Sequence, residues 1–189
     1  MKTNIIATSI ALAIFALIVS KPLVAQDAKL MAPQKEHELL ERFLGDWETE
    51  SEMMQGPNQP PMKCKGQLHA SALGKMWLVA NVENDIMGTK MNAQFTLGYD
   101  PEKNKYVGTW IDSIMNHMWQ YNGWVEDGGK TLILEAEGPN MMEPGKTAKF
   151  RDVYIFKSPD QMETKAMMQQ EDGKWITLAT GSSKRKSVE

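Results

Sequence analysis

The stretch Leu97-Gly98-Tyr99-Asp100-Pro101-Glu102-Lys103-Asn104-Lys105-Tyr106-Val107-Gly108-Thr109-Trp110-Ile111-Asp112-Ser113 places a cluster of turn-forming residues between two segments of alternating side chains. Alternation with a period of two on both sides of such a cluster is typical of a β-hairpin. The same pattern recurs along the chain as far as the C-terminal region. The sequence therefore predicts an all-β protein made of short, consecutive antiparallel strands.

Ten segments fit this pattern, and turn signals such as Asp127-Gly128-Gly129 and Asp172-Gly173 separate them. Strands with hairpin spacing and almost no helices between them favour a single up-and-down antiparallel barrel of about 8–10 strands, because closure removes exposed edges. A barrel of this size has room inside for one small ligand. The predicted strands are 47–54, 63–71, 76–85, 91–99, 105–113, 117–125, 130–137, 148–157, 161–170 and 174–181.

The N-terminal region has the features of a secretory signal peptide. Lys2 precedes an uncharged apolar run from Ile5 to Val19, and Ala25 is a small residue of the kind that signal peptidase prefers. We expect residues 1–25 to be a signal peptide, 26–35 a linker and 36–186 the barrel domain. The predicted location is periplasmic or secreted, with no stable membrane anchor after cleavage.

A short amphipathic helix is expected from Glu36 to Phe43, because Leu39, Leu40 and Phe43 follow a helical spacing. His37 lies on this segment, and we expect its side chain to be solvated.

Composition limits the partners. Without residues 1–25 the chain has 19 basic and 24 acidic residues, a net charge near −5, which does not favour nucleic acid or an anionic membrane. Cys64 is the single cysteine, so no intrachain disulfide can form. No cofactor is predicted, and the sequence does not indicate an oligomeric state.

Four motifs resemble a known family. Gly45-Asp46-Trp47, Leu73-Gly74-Lys75, Gly98-Tyr99-Asp100 and Trp110-Ile111-Asp112-Ser113 are similar to the motifs of the bacterial family called domain of unknown function 1579. Lys75 stands where that family has a second glycine. The resemblance implies a calycin-like, lipocalin-like barrel and no agreed activity.

Gly45-Asp46-Trp47 also resembles the Gly-x-Trp motif that opens the first strand of lipocalins. There, a basic residue from the last strand covers the indole. The resemblance implies that Arg185 or Lys184 lies over Trp47 and closes one end of the barrel by a cation–π contact.

The strand 105–113 carries the main candidate for a functional site. Tyr106, Trp110 and Asp112 share one face, and an inward-facing Asp112 would need a partner such as Arg151. The alternative is that Asp112 caps the turn that follows the strand. The predicted ligand is a small apolar or amphipathic molecule, and its lining residues are Trp77, Phe95, Tyr106, Trp110, Asp112, Trp119 and Arg151.

Three other functions stay open. Met115, His117 and Met118 offer thioether and imidazole ligands that suit Cu(I), although methionine is also an adaptable core residue. A hydrolase or isomerase would have to use His117, Asp112 and Arg151, and an enzyme is the function that the sequence supports least. A structural or envelope-interaction protein would instead have a filled barrel.

Overall fold

The computed structural model describes residues 32–56 and 59–187. The predicted signal peptide and most of the predicted linker therefore lie outside the described residues. Within the described ranges, no helix is both long and apolar enough to span a membrane.

Ten strands form one closed antiparallel barrel, which confirms the predicted fold class. Each strand pairs with its neighbours in sequence, and β1 pairs with β10 to complete the ring. A strand lies at each of the ten predicted segments. The strands are β1 (Gly45–Met53), β2 (Met62–Leu73), β3 (Trp77–Ile86), β4 (Thr89–Asp100), β5 (Lys105–Asp112), β6 (Trp119–Glu126), β7 (Thr131–Pro139), β8 (Thr147–Ser158), β9 (Gln161–Gln169) and β10 (Trp175–Arg185).

A 3-10 helix, Lys35–Phe43, precedes β1 and packs across one end of the barrel, which we call the helix end. The opposite end, the methionine end, carries the turns that follow β1, β3, β5, β7 and β9. The exposed large apolar side chains at or beside it are Met53, Met54, Met87, Ile111, Ile114, Met118, Met141 and Met142.

The helix end is filled by apolar side chains. Phe43 is 1% exposed and its ring contacts those of Phe95, Tyr154 and Phe156, with centroid separations of 6.4, 5.3 and 5.0 Å. Leu39 and Leu40 are also buried in this cluster. The apolar side of the predicted helix is therefore the part that closes the barrel.

The prediction that His37 is solvated is wrong. A 3-10 helix has three residues per turn, so His37 aligns with Leu40 and Phe43 on the buried side. Its Nδ1 accepts a 2.9 Å hydrogen bond from the backbone N–H of Gln34, and its ring packs edge-on against Tyr99. His37 therefore helps to start the helix and seat it on the barrel.

Trp47 and Arg185 close the ring at the helix end. They are cross-strand partners in β1 and β10, and the Arg185 guanidinium lies 4.2 Å from the centroid of the Trp47 ring. Arg185 also donates hydrogen bonds to the carbonyls of Leu44, Arg42 and Pro159. The indole N–H of Trp47 donates to the carbonyl of Phe43 at 2.8 Å.

Candidate functional site

The barrel interior is packed at the helix end and less completely packed beyond it. Inward residues near the helix end, such as Leu78, Leu97 and Leu132, have no accessible surface. Several inward residues closer to the methionine end keep partial accessible surface even though the barrel wall surrounds them. These residues are Trp110, Phe150, Asp152, Tyr154, Thr164 and Ala166.

A carboxyl group is held inside the barrel at this level. Asp152 lies on the inward face of β8, where its cross-strand neighbours are Leu134 and Ala166. The hydroxyl of Tyr121 on β6 donates a 2.5 Å hydrogen bond to Asp152 Oδ2. A buried polar group is costly unless it is hydrogen-bonded, and Tyr121 supplies that bond across the intervening strand β7.

Burial controls the ionisation of this pair. Removal from water raises the pKa of the Asp152 carboxyl, and the hydrogen bond from Tyr121 partly opposes that rise. Burial, followed by the nearby Asp152 charge, raises the pKa of Tyr121 well above its ordinary value. The pair is therefore held in an environment that disfavours negative charge.

Tyr154 adds a second hydroxyl to the same region. Its ring stacks on Phe95, with centroids 5.9 Å apart and an interplanar angle of 15°. Burial, and then the Asp152 charge, raises the pKa of the Tyr154 hydroxyl. This hydroxyl has no hydrogen-bond partner among the residues that the structure describes, so it is available to a molecule in the interior.

Small side chains face this polar group along β9 and β10. Thr164 is paired with Tyr154 and Gly181, and Ala166 is paired with Asp152 and Ala179. The short side chains of β9 and β10 project little into the interior. By contrast, β4, β5 and β6 contribute large aromatic rings to it. The interior thus has an aromatic side, a small-residue side and a carboxyl group with two hydroxyls between them.

Arg151 does not line this interior, and the prediction that it pairs with Asp112 is wrong. Side chains alternate along β8, so Arg151 points outward next to the inward Asp152. Its Nε donates to Glu135 Oε2 at 2.9 Å. Its guanidinium lies 4.0 Å from the ring of Trp175 and 5.4 Å from that of Trp124, which are also on the outer surface.

Asp112 has the capping role that was the alternative to a ligand-orienting role. Asp112 Oδ1 accepts hydrogen bonds from the backbone amides of Ile114 and Met115, at 2.9 and 2.8 Å. Asp112 Oδ2 accepts the indole N–H of Trp110 at 2.9 Å. Asp112 is the last residue of β5, so its Oδ1 caps the turn that follows the strand. Its Oδ2 orients the Trp110 indole.

The other predicted lining residues divide into three groups. Trp77 is 42% exposed on the outside of β3, so its assignment to the interior is wrong: Leu78 takes the inward position. Tyr106 faces inward but its hydroxyl donates to the carbonyl of Glu36 at the helix end. Phe95, Trp110 and Trp119 face the interior.

Met115, His117 and Met118 lie in the connection between β5 and β6 at the methionine end. Met115 packs against the interior cluster, whereas Met118 is 53% exposed. His117 packs edge-on against Trp119, and its buried Nε2 has no hydrogen-bond partner among the described residues. Arg151 is on the outer surface, so the structure does not bring it together with His117 and Asp112.

Sulfur atoms also meet on the inward side of β1 and β2, where Cys64 Sγ lies 3.9 Å from Met53 Sδ. Cys64 is 4% exposed, so its thiol is buried. In the described part of the chain, no group of three or more His, Cys, Asp or Glu residues is arranged to hold a metal ion.

In the described part of the chain, a cleft lies at each end of the barrel. One of about 520 Å³ at the methionine end runs between the β7–β8 and β9–β10 turns, and Lys146 spans these turns by ion pairs to Glu143 and Glu171. Inward residues Ala148 and Met168 contribute to its lining. The other, of about 260 Å³, lies beside the 3-10 helix next to Trp77 and Tyr99.

The fold and the interior define a ten-stranded, up-and-down β-barrel with a polar group inside. Residues 32–185 match the family described as "Protein of unknown function (DUF1579)", and the chain belongs to that family. A search of the curated proteins finds no match.

Solved structures share the barrel. Rv2717c from M. tuberculosis is 12% identical, with a TM-score of 0.57, and the similarity covers 82% of this chain and 100% of that one. The S-type phycobiliprotein lyase CPES from Guillardia theta is 11% identical, with a TM-score of 0.56, covering 85% of this chain and 98% of that one. At these identities the likeness shows the fold alone.

Proposed function

We propose that this protein binds a small, largely apolar or amphipathic molecule inside the barrel, with Asp152 and Tyr154 contacting its polar part. The observation that carries the proposal is the partial accessible surface of side chains that the barrel wall encloses, Asp152 and Tyr154 among them. A mostly apolar cavity with a few convergent polar groups is the usual form of a small-molecule site.

The aromatic side of the interior supplies most of the contact area in this proposal. Phe95, Trp110 and Tyr121 lie close together. The ring centroid of Phe95 is 6.5 Å from that of Trp110 and 6.2 Å from that of Tyr121. Aromatic rings offer large rigid surfaces at low conformational cost. The methionine end is the proposed entrance, because the 3-10 helix and Phe43 fill the other end.

The test uses Nile red, a neutral apolar dye whose fluorescence rises in an apolar site. We expect the wild-type protein to bind the dye and Ala166→Phe to weaken binding by about tenfold, because a phenyl group at this inward position occupies the cavity. Met167→Phe is the matched control, since Met167 faces outward on the same strand. Absence of dye binding to the wild-type protein, or equal loss in both variants, contradicts the proposal.

The compartment is part of the proposal. The apolar run from Ile5 to Val19 and the residue Ala25 support export to the periplasm or beyond. Intact-mass measurement of protein expressed with its natural N-terminus tests this, with a mature chain beginning at Gln26 as the expected result. Native mass spectrometry of the same sample would detect a co-purifying ligand.

A further inference from the structure

The charged side chains that face the interior of the barrel are acidic. Among the described strands, the inward positions between the level of Trp47 and the methionine end include Asp112 and Asp152 and no Lys, Arg or His. Arg185 takes an inward position only beside Trp47, where carbonyl oxygens of the helix end bind its guanidinium. The cavity therefore offers no basic strand residue to a negatively charged ligand.

Asp112 and Asp152 differ in whether their carboxylate oxygens can accept a further hydrogen bond. Both oxygens of Asp112 are used by the turn and by Trp110. Asp152 accepts one hydrogen bond, from Tyr121 to Oδ2, and no protein donor binds its Oδ1 among the described residues. A carboxylate held away from water gains strongly from a nearby cation or donor, because the low local dielectric strengthens the attraction.

We infer that the interior selects amphipathic molecules whose polar end is a cation or hydrogen-bond donor, a primary ammonium above all, and rejects those that end in a carboxylate. This inference rests on the proposed function and names the ligand class for the same site. The ammonium binds Asp152 Oδ1 and donates to the Tyr154 hydroxyl oxygen, and the alkyl or aromatic body lies along Phe95 and Trp110.

His117 lies at the methionine end, where the entrance is proposed. It belongs to the β5–β6 connection, and it packs against Trp119 at 4.8 Å between ring centroids. Its Nε2 lies 2.9 Å from the position that a Cβ on Gly138 would take, and Gly138 occupies an inward position of β7. That nitrogen is buried against Trp119 and the inner side of β7, so protein atoms cover it and it is not open to a carboxylate in the cavity.

The experiment compares three probes of equal chain length: dodecylamine, dodecanol and dodecanoate. Each competes with Nile red below its micelle concentration at neutral pH. We expect dodecylamine to bind about tenfold more tightly than dodecanoate, because its ammonium can pair with the Asp152 carboxylate, whereas a carboxylate head finds no Lys or Arg at the inward strand positions around the cavity. Dodecanol, which has no charge, should fall between them.

Asp152→Asn is the decisive variant, and Asp112→Asn is its matched control on another strand. The ratio of dodecylamine to dodecanoate affinity should collapse towards one in Asp152→Asn and persist in Asp112→Asn. If Asp152→Asn fails to fold, the carboxyl 13C titration of wild-type Asp152 replaces it, and dodecylamine should lower the pKa of Asp152 whereas dodecanoate should not.

The outcomes separate the two proposals. Displacement of Nile red by all three probes with equal affinity, or best by dodecanoate, overturns the inference and leaves an interior ligand site in place. Failure of Nile red and of every probe to bind overturns the proposed function, and the inference with it. A preserved ratio in Asp152→Asn assigns the selection to another group and overturns the inference.

Discussion

The hydroxyl of Tyr121 on β6 donates a 2.5 Å hydrogen bond to the carboxyl of Asp152 on β8, across the strand that separates them. This contact ties the aromatic side of the barrel to β8, whose partner β9 carries the small inward residues Thr164 and Ala166. It also fixes which oxygen of Asp152 remains for a ligand.

Replacing Tyr121 by Phe should raise the pKa of Asp152 further, because the lost hydrogen bond is the contribution that lowers it. The free energy of unfolding should fall by about 1 kcal/mol, the usual net value of one hydrogen bond. Carboxyl 13C titration and urea denaturation measure the two effects. Tyr106→Phe loses a comparable bond to Glu36 and should leave the Asp152 titration unchanged.

Asp152 should give stability a characteristic pH dependence. Its pKa is raised in the folded protein above the ordinary value of 3.8, so the folded state binds more protons than the unfolded state in the interval above 3.8. The contribution of Asp152 to stability is therefore present at low pH and is lost as pH rises through the folded pKa.

The wild-type protein and Asp152→Asn isolate this contribution from the exposed acids whose pKa values are lowered, such as Asp100. The free energy of unfolding of Asp152→Asn minus that of the wild type should grow as pH rises above 3.8 and level off above the folded pKa. A flat difference between pH 3.8 and neutrality would mean that Asp152 is not desolvated.

Arg151→Met should leave probe binding and head-group selection unchanged, because its guanidinium lies on the outside of the barrel. Loss of the ion pair to Glu135 and of the stacking on Trp175 should lower the free energy of unfolding by about 1 kcal/mol. Nile red competition and urea denaturation measure both. A changed dodecylamine-to-dodecanoate ratio would place Arg151 in contact with the ligand and contradict the structure.

Asp112→Ala should destabilise the protein by about 2 kcal/mol, since two turn amides and the Trp110 indole lose their acceptor. Asp112→Asn keeps one oxygen acceptor and should cost less. Thermal unfolding of the two variants gives the comparison, and an equal loss in both would point to a need for the charge itself.

Arg185→Met should lower the free energy of unfolding by about 2 kcal/mol, because a cation–π contact and several charged hydrogen bonds disappear together. Lys184→Met, at the exposed neighbouring position, is the control and should have little effect. Arg185→Lys should recover only part of the loss, as an ammonium cannot stack on Trp47 and bind several carbonyls at once.

The strand pattern made the fold predictable, since ten alternating segments with short turns leave few arrangements other than a closed meander. The helix was expected at nearly its observed position, but its type was not. A spacing of 3.6 residues left His37 outside the apolar stripe, whereas the three-residue turn of the 3-10 helix buries it.

The site was less predictable, although part of the signal was present. Phe150, Asp152, Tyr154 and Phe156 alternate with Arg151 and Lys157, so the pattern alone puts Asp152 inside and Arg151 outside. Asp152 is an acidic residue at one of the alternate positions that are otherwise aromatic, and this pattern indicates a carboxyl group inside the barrel. That Tyr121 would meet it depends on the tilt of β6 against β8, which alternation does not determine.

Pairing of β1 with β10 brings together residues that are far apart in the sequence, such as Trp47 and Arg185. A chain still being synthesised cannot complete the ring until its last strand is available, and until then β1 and β9 are unpaired edges that invite aggregation. Long-range pairing of this kind makes folding slow. The barrel can therefore close only once β10 is available, and a chain truncated before β10 should fail to accumulate as a soluble protein.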